Sequence, residues 1–92
     1  MTSEDTGTIQ AMLERLTHHR IPRALEIKAR VDAGEPLLDL DVQFLEQVFE
    51  DANAARPLIS HHPELEPLVS KLVSLYSDIT AKALENEKNR GA

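Results

Sequence analysis

Apolar residues recur along this chain with the spacing of helices and nowhere with that of strands. Ile9, Met12, Leu13 and Leu16 stand at i, i+3, i+4 and i+7, one face of an amphipathic helix. The pattern fails past Leu16, where the next turns of that face would hold His19, Arg20 and Arg23, and where Pro22 stands. A proline inside a helix removes a backbone hydrogen bond and clashes with the preceding turn, yet it is welcome as a first helical residue. The spacing therefore predicts one helix over 8–19 and a second over 22–33, joined by a tight corner or a sharp kink. Ile21, Ala24, Ile27 and Val31 form the second helix's inner face, with Leu25 at its margin. "DAGEP" ends it, because Gly34 can take the left-handed conformation and Pro36 blocks continuation.

A third helix is predicted over 41–56, with Asp41 as N-cap and Leu40 and Leu45 as a hydrophobic staple. Val42, Leu45, Val48, Phe49 and Ala52 line its inner side and Phe44 flanks it. "PLISHHPELEP" has three prolines in eleven residues and cannot be regular helix. A fourth helix follows over 67–88, with Pro63 as an alternative start. Its apolar positions, from Leu65 to Leu84, cover an arc of roughly 180° at about 100° per residue. So wide an arc requires two neighbouring helices, or one neighbour and a second chain. The expected fold is all-α: a small antiparallel bundle of three layers and four helical segments. It forms a single domain over 1–92, with frayed tails at 1–6 and 89–92.

Composition narrows the chemistry. The 92 residues include no cysteine, so disulfides, thiolate metal ligands and a thiol nucleophile are all excluded. The first residues, "MTSEDTGT", are acidic and polar, unlike a signal peptide, and no apolar run nears the roughly 20 residues that span a bilayer. A cytoplasmic protein without membrane contact is the expectation. The net charge of −6, with only Phe44, Phe49 and Tyr76 as aromatics, argues against nucleic acid as a partner.

The charge is unevenly placed. Residues 15–31 carry Arg15, Arg20, Arg23, Lys28 and Arg30 against Glu26, whereas residues 32–66 carry nine carboxylates against Arg56. Three fates are open to the basic stripe. Glu26 and Arg30 can pair at i,i+4, worth a few tenths of a kcal/mol. The stripe can meet the acidic face of the third helix (Glu46, Glu50, Asp51), within one chain or across a dimer. It can also take a phosphate or a nucleic-acid backbone, although only two or three arginines can face one way at once.

All four histidines come as adjacent pairs, His18–His19 and His61–His62. Brought together they would offer enough imidazole nitrogens for zinc or nickel. Neighbouring histidines on a helix point about 100° apart, however, and neither Glu-x-x-His nor His-Glu-x-x-His occurs. The plainer reading is polar residues exposed at helix ends. No phosphate-cradling loop and no recognisable nucleophile–base–acid set is present, and so small a bundle is expected to lack a ligand pocket of hundreds of cubic ångströms.

The sequence thus reads as a non-enzymatic, cofactor-free protein–protein interaction module, an adaptor or regulator that works through helix faces. Arg20, Arg23, Arg30, Val69 and Val73 are its candidate partner-binding residues, and the partner is another protein or a second copy in a homodimer. The alternative is a metal-binding or metal-sensing bundle that uses His18, His19, His61 and His62.

Overall fold

The computed structural model describes the backbone of residues 2–91 and the side chains of 7–90. It is an all-helical bundle of three antiparallel rods, about 56 Å long and 16–19 Å across. Helix makes up 88% of the chain, and no strand occurs among the described residues. The first rod runs through α1 (Thr2–Arg15), a π turn (Leu16–Arg20) and α2 (Ile21–Asp32). The second is α3 (Asp39–Ala55), and the third is α4 (Glu66–Gly91). Of the two tails, α1 begins at Thr2 and α4 reaches Gly91, while Met1 and Ala92 lie outside the described residues.

Of the two joints expected before Pro22, a corner or a kink, the corner is absent: the first two segments are one rod with a π turn between them. Backbone angles stay helical on both sides of the π turn, at Arg15 (φ −60°, ψ −47°) and Ile21 (φ −64°, ψ −48°). The Ile21 N–H reaches back five residues to the Leu16 carbonyl, the wider hydrogen-bonded ring of a π turn. Two demands meet here. Pro22 has no N–H to give to an α-helical ladder, and a wider turn accommodates its ring. The apolar pattern also slips by one residue. In unbroken α-helix, Leu16 would be followed on its face by Arg20 and Arg23. With the π turn it is followed by Ile21, five residues on, and then Ala24. Leu16 and Ile21 do pack in one cluster, with Val48 and Leu72, and Arg23 is carried out to the surface.

Three stacked clusters fill the bundle axis. At one end Ile9 meets Ala52, Ala55, Leu65 and Val69. In the middle lie Leu16, Val48 and Leu72, and at the other end Ala24, Ile27, Val31, Leu45, Leu75 and Ile79. The order of these clusters makes α3 antiparallel to both other rods. Helix α4 packs on both, and so internal neighbours account for most of its wide apolar arc.

The connections follow their residues. Gly34 takes φ +94°, its N–H binds the Val31 carbonyl at 2.9 Å, and the Glu35 N–H binds Arg30's at 3.1 Å. This is the paired Schellman closure that glycine permits at the C′ position. The proline-rich stretch forms two short 3₁₀ turns, Arg56–Leu58 and Pro63–Leu65, around His61 and His62. Two polar side chains fasten the far end of α4 to the end of α2. Asn86, buried, donates to the Val31 carbonyl at 2.8 Å, and Arg90 donates to the Gly34 carbonyl.

Three expectations for α3 need correction, the first being the staple: Leu40 lies inside the helix and is 67% exposed, so it does not cover Leu45. Asp41 is not the N-cap: Leu38 holds that position, and Asp41 is the third helical residue. From there its carboxylate accepts the Leu38 N–H at 2.9 Å, the reciprocal half of a capping box. Val42 and Phe49, expected inside, are exposed at 44% and 53%. The inner stripe of α3 centres on Leu45, Val48 and Ala52. Residues 42 and 49 fall about 100° away from Val48, on a flank that no third neighbour covers.

Candidate functional site

Two arginines of the basic stripe, Arg20 and Arg30, turn into the seam between the first rod and α3. Arg30 forks onto Asp41, with Nη1 at 3.0 Å from Oδ2 and Nη2 at 2.6 Å from Oδ1. Asp41 is 1% exposed, and Arg23 stands at 4.0 Å from the same carboxylate. Its carboxyl is held below the usual carboxylate range, first by the Arg30 hydrogen bonds and then by the Leu38 N–H, against the opposing effect of burial. Arg30 is correspondingly raised, chiefly by the same hydrogen bonds. Farther along the seam, Arg20 Nε donates to Asp51 at 2.7 Å and Nη2 donates to Gln47 at 3.1 Å. The Arg20 guanidinium also sits 5.8 Å from the centre of the Phe44 ring.

Of the fates open to the stripe, two are observed inside one chain: Arg20 and Arg30 pair with α3, and Lys28 pairs along its own helix with Asp32 at 2.7 Å. The partners on α3 are Asp41 and Asp51, whereas Glu46 and Glu50 point elsewhere. Glu26 reaches Arg23 at 3.8 Å rather than Arg30. The expected partner-binding residues therefore sit in different surroundings. Arg20 and Arg30 are engaged within the fold, Arg23 is half-exposed beside them, and Val69 is buried in the core. Val73 remains on the surface at 38% exposure.

The histidine pairs do not converge. His18 and His19 lie exposed on the π turn. His61 and His62 lie in the α3–α4 connection, where His62 shares a groove with Ile9, Gln10 and Leu13, toward the start of the first rod. Among the described residues no group of three or more His, Asp or Glu side chains assembles in a metal-binding arrangement. His62 Nδ1 instead lies 3.7 Å from Glu64 Oε2.

The feature not foreseen lies on the other side of α3. Phe49 leans over the α3–α4 seam onto Tyr76, with ring centres 5.9 Å apart and planes tilted by 38°. Together with Val48, Ala52 and Val73 they enclose an apolar cleft of about 70 Å³, with Asn53 and Arg56 at its edge. A broad, open groove of about 520 Å³ continues from it over Ile59, Val69, Ser70, Val73 and Ser77, with Arg56 and Glu66 at its side. The volume exceeds the expectation for so small a bundle, but it is surface groove rather than an enclosed pocket. Arg56, the one Lys or Arg between residues 32 and 66, lines both spaces and makes no ion pair among the described residues. A signal for this face was present in the sequence: Val42 and Phe49 stand seven residues apart on one stripe, offset from Leu45, Val48 and Ala52.

Among the described residues no helix is long and apolar enough to cross a membrane. Comparison of the chain with protein-family models, with curated proteins and with solved structures finds no match.

Proposed function

We propose that this protein is a small non-enzymatic interaction module, an adaptor or regulator, that holds a protein partner on the face formed by α3 and α4. The observation that carries this reading is Phe49: a large aromatic ring, 53% exposed, set beside Val73 and Tyr76 over an apolar cleft. Aromatic anchors at the centre of an apolar patch are the residues that dominate protein–protein binding. The core does not need Phe49 there, since Val48 and Leu45 already fill the layer beneath it. Of the sequence-derived binding residues, Val73 belongs to this face, and Arg20 and Arg30 serve the bundle.

The test is affinity capture from the native cell with three baits: the unaltered chain, Phe49→Ser with Val73→Ser, and Arg23→Glu. The expected result is a protein retained by the first and third baits and lost from the second, with circular dichroism unchanged in all. Equal retention on all three, or nothing retained, overturns the reading.

A further inference from the structure

Resting on that reading, we infer that the α3–α4 face receives a basic amphipathic helix from a different protein, which completes a four-helix bundle. Shape and charge both point to this occupant. The exposed apolar residues fall on two facing stripes, Val42 and Phe49 on α3 and Val73 and Leu84 on α4, each more than a third exposed. Spacings of seven and eleven residues are close to two and three helical turns, so each stripe runs along its helix rather than around it. Two parallel apolar lips with a groove between them suit a third cylinder, as the anchors of helix-in-groove recognition do. Where the groove opens onto α4, the outer surface is Ser70, Ser74 and Ser77, short side chains that let another helix come near.

The rim selects the sign of the occupant. Glu46 lies between Val42 and Phe49 on their stripe, Glu50 flanks it one turn farther along and about 100° around from Phe49, and Glu66 stands at the α4 end of the groove. None of the three is ion-paired among the described residues, and Arg56 is the single opposing charge beside them. Glu87 and Lys88, near Leu84, offset each other. A second copy of this chain fits poorly. It carries a net charge of −6, and an isologous pairing over this face would bring two acidic rims, each with Glu46, Glu50 and Glu66, into one interface. Of the cations on the first rod, Arg20 and Arg30 are already bound to Asp51 and Asp41.

The probe is a labelled synthetic helix with leucine in the i, i+3, i+4, i+7 pattern and lysine elsewhere; its counterpart carries glutamate in place of lysine. Fluorescence anisotropy reads binding to the full chain at low and physiological salt. The lysine helix should bind and the glutamate helix should not. Binding should weaken about tenfold or more in Phe49→Ser with Val73→Ser, and separately in Glu46→Lys with Glu50→Lys. Both pairs of positions are exposed, so circular dichroism should show the bundle intact. Equal binding of the two helices overturns the proposal, as does affinity that survives the Phe49 and Val73 changes. Sedimentation that shows copies pairing through Phe49 at about 100 µM in low salt also overturns it. Should the probe fail while the native cell still yields a partner lost with Phe49 and Val73, only the basic occupant is refuted, and the interaction reading stands.

Discussion

Removing Arg30 tests whether its clasp on Asp41 holds the bundle's seam. Arg30→Met keeps most of the aliphatic stem and deletes the fork. Two charge-assisted hydrogen bonds are lost, at 3.0 and 2.6 Å, each worth about 1.5–3 kcal/mol. Breaking a fully buried ion pair typically costs about 3–5 kcal/mol, because a charge is left behind without its partner. Two features reduce that here. Arg30's side chain is 31% exposed, so water already supports part of the guanidinium, and Asp41 keeps the Leu38 N–H and Arg23 at 4.0 Å. A loss of about 2–4 kcal/mol is expected, a large share of a small domain's stability. Urea unfolding followed by circular dichroism measures it. The pH dependence gives the sharper check. Asp41's native pKa is lowered by Arg30, so the stabilisation is fully present above the ordinary carboxylate value of about 3.9. It is lost as pH falls through the lowered native value. The gap between parent and variant should therefore be full at neutral pH and close under acid. A loss below about 0.5 kcal/mol, or a gap that stays constant into acid, refutes a working clasp.

Four other perturbations probe the fold. Leu72→Ala removes a completely buried side chain from the central cluster and should cost about 2–5 kcal/mol by thermal or urea unfolding; a near-neutral result would remove Leu72 from the core. Asn86→Ala should cost only about 1 kcal/mol, because the Val31 carbonyl keeps the Gly34 N–H at 2.9 Å, and a loss several times larger would show that Asn86 does more than hold this carbonyl. Pro22→Ala should change stability by less than about 1 kcal/mol, since the spacing of Leu16 and Ile21 holds the π turn in place, whereas deletion of His18 with Pro22 retained should cost about 3 kcal/mol. Equal effects of the two changes would mean that proline alone sets the turn.

Helix content, the α2–α3 closure at Gly34 and most of the core were legible in the sequence. All of these depend on spacing within one segment. Contacts between segments were not. Asp41 read as a cap because an acid before an apolar run commonly is one. Its burial under Arg30 depends on how α2 and α3 face each other, which neither helix specifies alone. Phe49 read as core because it is aromatic and close to the inner stripe. In a three-rod bundle, however, α3 has neighbours on one side only, and the stripe 100° away opens to solvent. Asn86 stands among polar residues in the last turns of the fourth helix, and nothing nearby in sequence reveals that Val31's carbonyl lies beside it. The π turn was half legible. Pro22 and the failing pattern marked the right place, but the i+5 relation of Leu16 to Ile21 was the clue that separated a widened turn from a corner.

That turn carries a surplus of one residue. Remove one position from the exposed stretch Thr17–His19, and replace Pro22, and Leu16 and Ile21 would stand four apart instead of five, still on one side of an ordinary α-helix. The halves of the rod would keep their facing, and α3 and α4 would meet the same surfaces. Two sequences that differ by a gap at this point and by the identity of residue 22 therefore specify one bundle. A gap placed anywhere else in the rod would turn one half by about 100° against its neighbours. An alignment of this chain with a distant relative should be free to break between Leu16 and Ile21, and penalised for breaking within α1 or α2.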